Sequence, residues 1–114
     1  MKNIIHLFLF VFALNHCIAQ DQKFAVETVA FYNVENLFDH FDDPKTRDDD
    51  RTPEGRDRWT EEIFEMKLAN TAKVIADVGS DVTGSAPAII GLSEVENRYV
   101  VERLVNSPTL KKYN

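Results

Sequence analysis

Two residues of this sequence have a type and a position suited to chemistry: Glu94 and Asn33. Glu94 follows an uncharged run, Ala88-Ile89-Ile90-Gly91-Leu92-Ser93. That run reads as a strand buried on both faces, as in a parallel sheet. Side chains alternate along a strand, so Glu94 shares the parity of Ile90 and Leu92. The expectation is a carboxylate at the carboxyl end of a strand, on its apolar-facing side. Open α/β sheets bind ligands at that end, and a carboxylate there is costly without a partner such as a metal ion. Magnesium takes hard oxygen ligands, with one or two carboxylates plus substrate phosphate and water. An edge-exposed glutamate, or one paired with Arg98, satisfies the same pattern. Asn33 lies near the end of a second β-branched and aromatic run, Val26–Val34, and shares the parity of Val29 and Phe31, which places it too on its strand's apolar-facing side. Its amide suits orientation of a metal-bound water, a ligating carboxylate or a phosphate oxygen. The ordinary reading is a strand-end amide bonded to backbone.

The remaining polar residues carry less. Glu96 and Asn97 read as helix-start residues or as a second layer behind Glu94, and Glu35 and Asn36 as solvated or capping residues. His40 is the one histidine outside the first twenty residues. It lies among acidic residues and reads as a surface histidine rather than a general base. The sequence has no Gly-rich phosphate loop, zinc-ligand spacing or nucleophile elbow.

The elements that must position these residues follow from patterning. Strand Val26–Val34 leads into a polar loop over residues 39–58, rich in Asp and Arg and punctuated by Pro44, Pro53 and Gly55. From Asp48, the third position of a calcium loop is Asp50, but the fifth is Thr52 and the sixth Pro53, where an EF-hand needs glycine. The loop therefore reads as solvated, with internal charge pairing, and Trp59 as its anchor on the following helix. Thr60–Val78 predicts an amphipathic helix with Thr60 as N-cap, an apolar stripe of Phe64, Leu68, Ala72, Ile75 and Val78, and Gly79 as its stop. A loop over 80–87 and strand Ala88–Leu92 follow. Asn97 then caps a second helix, Arg98–Val105, with Val100, Val101, Leu104 and Val105 as its stripe. The order is strand, helix, strand, helix, so the strands are expected to be parallel neighbours.

Composition bounds the partners. Hydrophobic residues make up 44% of 114 and charged residues 28%, which is a globular balance. The net charge of −6 is not the footprint of a protein that grips nucleic acid by a basic surface. Residues 1–20 read as a secretory signal peptide: Lys2, an apolar stretch Ile4–Leu14, and Cys17-Ile18-Ala19 before cleavage after Ala19 or Gln20. The apolar stretch falls short of the roughly 20 residues that a membrane span needs. Lipoprotein processing at Cys17 is the runner-up, disfavoured by the bulk of His16. The expected mature chain, 21–114, is secreted or periplasmic, has no integral membrane segment, and loses its one cysteine with the signal. Its oligomeric state is not encoded in any visible pattern.

The two polar strand ends together carry a resemblance. Phe31-Tyr32-Asn33-Val34-Glu35-Asn36-Leu37-Phe38, followed some sixty residues on by Gly91-Leu92-Ser93-Glu94-Val95-Glu96-Asn97, resembles the endonuclease/exonuclease/phosphatase family of deoxyribonuclease-like metal-dependent phosphodiesterases. The Asp43-Pro44 and Thr52-Pro53-Glu54-Gly55 segments look like a secreted bacterial branch of it. The resemblance implies an α/β fold, the N-terminal part of a four-layer α/β sandwich of two packed sheets flanked by helices. It implies Glu94 as the magnesium ligand (Mg2+ or Mn2+) and Asn33 as the catalytic amide of the same site. The reaction implied is hydrolysis of a phosphate ester, nucleic acid among the candidates, by in-line attack of water. The family's catalytic histidine, its aspartate partner and an Asp-x-Asn segment match nothing here. The expectation is a fragment, 21–114, with half a metal site and no activity alone. The alternatives are a non-enzymatic secreted binding module and, within the family, an inositol-phosphate or phospholipid phosphatase.

Overall fold

The computed structural model describes residues 23–113. The signal-peptide reading of residues 1–20 lies outside them. The elements, in order, are β1 (Val29–Leu37), a 3-10 turn (Asp49–Arg51), α1 (Glu61–Asp77), α2 (Ser80–Thr83), β2 (Ile89–Val95), α3 (Arg98–Val105) and a closing 3-10 turn (Lys111–Tyr113). The arrangement is α/β, with a two-stranded sheet in which β1 pairs with β2 in parallel.

Both helices start where their caps predict. Thr60 has extended backbone and its hydroxyl accepts from the Ile63 amide, while Glu61 and Glu62 occupy the first turn, where the helix dipole favours anions. Asn97 does the same for α3, its Oδ1 accepting from Val100 N at 3.0 Å. Gly79 adopts φ +71° after α1, the left-handed conformation that glycine takes without steric cost. The predicted 80–87 loop contains the single-turn helix α2.

Phe64, Leu68, Ala72 and Ile75 of α1 meet Val100 and Leu104 of α3, and Val34 and Leu37 of β1, in one buried cluster. Tyr32, Ile90 and Leu92 pack onto it from the sheet. Both longer helices thus cover one face of the sheet. On the other face Val29, Phe31 and Ile89 are exposed, Phe31 at 89%. β2 is therefore not buried on both faces as its composition predicts, because the described residues supply helical cover to one side only. The register sets Phe31 opposite Gly91, and its ring lies across that glycine: a Cβ there would come within 2.6 Å of the ring carbons.

Each strand extends further toward its carboxyl end than its composition suggests, to Leu37 and Val95. The extension is irregular. Pairing runs from Val29↔Ile89 to Asn33↔Ser93 and resumes at Leu37↔Val95. Val34, Glu35 and Asn36 bulge against Glu94 alone.

Candidate metal-site half at the strand ends

The bulge is built from residues in the left-handed backbone region: Glu35 at φ 54°, Asn36 at φ 62° and, across from them, Glu94 at φ 60°. Asparagine visits this region readily, whereas glutamate pays roughly 1–2 kcal/mol. Three of the four non-glycine residues with positive φ among those described lie here. Local strain of this kind gathers where a fold must aim side chains away from their regular direction.

Here the aim decides the site. Strict alternation would send Glu94 to the helix-covered face with Leu92, and Asn33 to the open face with Phe31. The left-handed turn at Glu94 breaks that alternation. The Asn33 Nδ2 donates to Glu94 Oε1 at 2.7 Å, and the Asn33 Oδ1 accepts from the Glu35 amide at 2.7 Å. Two sequence expectations are corrected by this geometry. Glu94 does not sit on the apolar-facing side its parity gives, and the face that Asn33 shares with Val29 and Phe31 is the open one. Both side chains are exposed. Arg98, the alternative partner for Glu94, pairs instead with Glu102 at 3.4 Å.

Glu96 and Asn97 do not join this pair. Glu96 Oε2 accepts from the Asp39 amide at 2.9 Å, and Asn97 Nδ2 donates to Asp39 Oδ2 at 3.0 Å. They fasten the start of the 39–58 loop to the end of β2, while Asn97 also caps α3. Their expected place behind Glu94 is thus a place behind the loop. Burial pushes the Glu96 carboxyl up to about 7; the bond from Asp39 N–H works against that, and the Asp39 and Asp48 charges add to it. Asp48 is 1% exposed. Its Oδ2 accepts from Asp43 N at 3.0 Å, while its Oδ1 is buried without a partner. A hydrogen bond between the Asp48 and Glu96 side chains raises Glu96 further, and a protonated Glu96 is the donor that such a bond needs.

The loop is therefore less solvated than its composition predicts: Asp39, Asp48 and Thr52 are buried. Internal charge pairing is present, with Arg51–Asp57 at 3.2 Å, Arg56–Asp50 at 3.2 Å and Arg56–Asp57 at 3.3 Å. Trp59 closes the loop, its Nε1 donating to Phe38 O at 3.0 Å. His40 is half-buried rather than a surface residue. Its ring packs on Phe41, with centroids 4.1 Å apart, and its Nδ1 is buried without a partner.

One neighbour of the site carried no signal in the strand motifs. Lys67 of α1 donates from Nζ to the carbonyls of Glu35 and of Asn36, the latter at 3.2 Å. Its clue in the sequence is a cation placed between Phe64 and Leu68, at the edge of the apolar stripe.

As a donor set the strand ends suit a hard divalent cation in part. Glu94 offers an exposed carboxylate whose Oε2 accepts no hydrogen bond from a described residue, and Asn33 fixes its other oxygen. Among the described residues, no group of three or more His, Cys, Asp or Glu side chains is placed to hold a metal ion by itself. One carboxylate completed by phosphate and water is a mode that magnesium uses. No described helix is long and apolar enough to cross a membrane.

No curated protein and no solved structure gives a significant match to the chain. A family model, described as Endonuclease/Exonuclease/phosphatase family, matches residues 28–114, from the residue before β1 to the last residue of the sequence. The match takes in both strands and the pair of side chains at their ends, and the chain belongs to the endonuclease/exonuclease/phosphatase family.

Proposed function

We propose that this chain supplies the Asn33–Glu94 half of the divalent-metal site of a secreted phosphodiesterase. The observation that carries the reading is the 2.7 Å bond between Asn33 Nδ2 and Glu94 Oε1, made at the carboxyl ends of two parallel strands. Family membership supports the class, phosphoric ester hydrolysis. Glu94 would hold Mg2+ or Mn2+ through its carboxylate. Asn33 orients that carboxylate and, through its Oδ1, ties it to the Glu35 amide. Lewis acidity on a phosphoryl oxygen and on the leaving group is the chemistry that a divalent cation supplies when bound there.

Asn33 is a neutral amide that takes no proton from an attacking water, and Glu94 is assigned to the cation in this reading. His40, packed among aromatic rings, is no substitute. The described residues alone are therefore inactive in this reading. The open sheet face of Val29, Phe31 and Ile89 suits a second packed sheet, as in a four-layer sandwich, and domain 21–114 is then the N-terminal part of that unit. The signal-peptide reading supports export. The same open face also suits a binding module without catalysis.

Two measurements separate these readings. Mn2+ added to the isotopically labelled chain should broaden resonances of Asn33, Glu94 and Glu35 first; uniform or absent broadening contradicts the metal site. A generic phosphodiester with Mg2+ should show no turnover. Turnover that disappears in Glu94→Ala would overturn the inactivity and strengthen the site.

A further inference from the structure

Lys67 makes an unusual use of an ammonium group. It forms no ion pair within 4 Å among the described residues, although Glu35 lies beside it. Instead its Nζ donates to two consecutive backbone carbonyls, those of Glu35 and Asn36. These are the two left-handed residues of the β1 bulge, whose carbonyls have left the regular ladder. The stem of Lys67 is fixed as well. It rises from α1 between buried Phe64 and Leu68, and its Nζ stands 5.6 Å from the centroid of the Trp59 ring. Trp59 is itself held by the Phe38 carbonyl. A rigid helix, a locked indole and a two-pronged donor thus converge on the most strained backbone of the sheet.

The next bond in the chain runs to the site. The Glu35 amide, next to the carbonyl that Lys67 holds, donates to Asn33 Oδ1, and Asn33 Nδ2 donates to Glu94. We propose that Lys67 is a positioning residue: it clamps the Glu35–Asn36 bulge in the conformation that sets Asn33 against Glu94, and so pre-organises the cation site. This rests on the metal reading of Glu94 for its last step only. Burial, followed by the charge of Arg51, lowers the Lys67 pKa, while Glu35 and Glu94 oppose that, which places the ammonium within the field of both carboxylates.

The test uses the full chain and two variants. Lys67→Met keeps the aliphatic stem on Trp59 but removes the donors; Lys67→Arg keeps charge and donors. Two readouts are taken together: amide hydrogen exchange by NMR and the Mn2+ dissociation constant. Lys67→Met should speed exchange of the Glu35 amide at least about tenfold while leaving the Leu68 and Ala72 amides unchanged, as expected of a local opening. It should also weaken Mn2+ binding about tenfold, the low end for removing an outer partner of a metal ligand. Lys67→Arg should recover most of both. An unchanged Glu35 amide in Lys67→Met overturns the proposal. So does equal acceleration of the core amides, which would make Lys67 a general stabiliser, or a failure of Lys67→Arg to recover either readout. If the wild-type chain binds no Mn2+, the metal reading of Glu94 fails, and the Glu35 exchange rate still decides whether Lys67 holds the bulge.

Discussion

The Asn33 carboxamide donates to Glu94 through Nδ2 and accepts from the Glu35 amide through Oδ1. A carboxamide does both at once at any pH, whereas an ionised carboxylate can only accept. Asn33→Asp would set a second carboxylate against Glu94, and Asn33→Ala would leave Glu94 without its orienting donor. Asn33→Ala should weaken divalent-cation binding by roughly 10–100-fold, the range for losing an outer-shell partner. Because the side chain is exposed, stability should change by less than about 0.5 kcal/mol; isothermal titration and urea unfolding measure the two effects. Glu96 belongs to the same scale and has the opposite character. Its carboxyl is raised from 4.5 to about 7, so between those values the folded chain holds a proton that the unfolded chain releases. Stability should therefore rise as pH falls from 7 toward 4.5. Glu96→Gln keeps an acceptor for the Asp39 amide and removes the charge that Asp39 and Asp48 oppose. At pH 8 it should stabilise the fold by ~1 kcal/mol, discounted for the part of the side chain that meets solvent. Below pH 4.5 the two proteins should unfold alike. Urea midpoints at pH 8 and pH 4 check both statements.

At the scale of elements, much was legible because the signals are local. The caps Thr60 and Asn97, the stripe from Phe64 to Ile75 and the stop at Gly79 each act within a few residues, and each is present as read. The parity of Glu94 was misread for an equally local reason that periodicity cannot express: alternation holds only while the backbone stays extended, and Glu94 does not. The tie between Asp39 and Glu96 spans 57 positions and leaves no pattern in either segment. Lys67 was hidden in the same way, since its partners are main-chain carbonyls and carry no residue identity. Element-scale changes should follow the packing. Phe64→Ala empties the centre of the cluster and should cost about 3–5 kcal/mol. Thr60→Ala removes one cap and should cost about 1 kcal/mol. Thermal unfolding monitored by circular dichroism ranks the two, and a larger loss for Thr60→Ala would contradict the assignment of the core.

For the molecule as a whole, the uneven cover of the sheet governs behaviour. One face is sealed by α1 and α3, and the other presents Phe31, Val29 and Ile89 beside the candidate site. Contiguous exposed apolar patches in general favour association. Phe31→Lys should reduce concentration-dependent self-association in sedimentation velocity without lowering the unfolding midpoint, because Phe31 makes little buried contact. The exposed edge and face also explain why the sequence suggested a strand buried on both sides: Ile89, Val29 and Phe31 have the composition of a covered sheet. The α/β class and family membership were within reach of the sequence, since they rest on two short motifs and the elements between them.

Glu94, oriented by Asn33, is proposed to bind a divalent cation at the strand ends. Electron paramagnetic resonance titration of Mn2+ into the wild-type chain and into Glu94→Gln decides this, because Gln keeps the shape and removes the charge. One saturable site in the wild type, weakened by at least about 100-fold in Glu94→Gln with the fold intact, is the result expected when a ligating carboxylate is lost. Equal Mn2+ binding by the two proteins would contradict it.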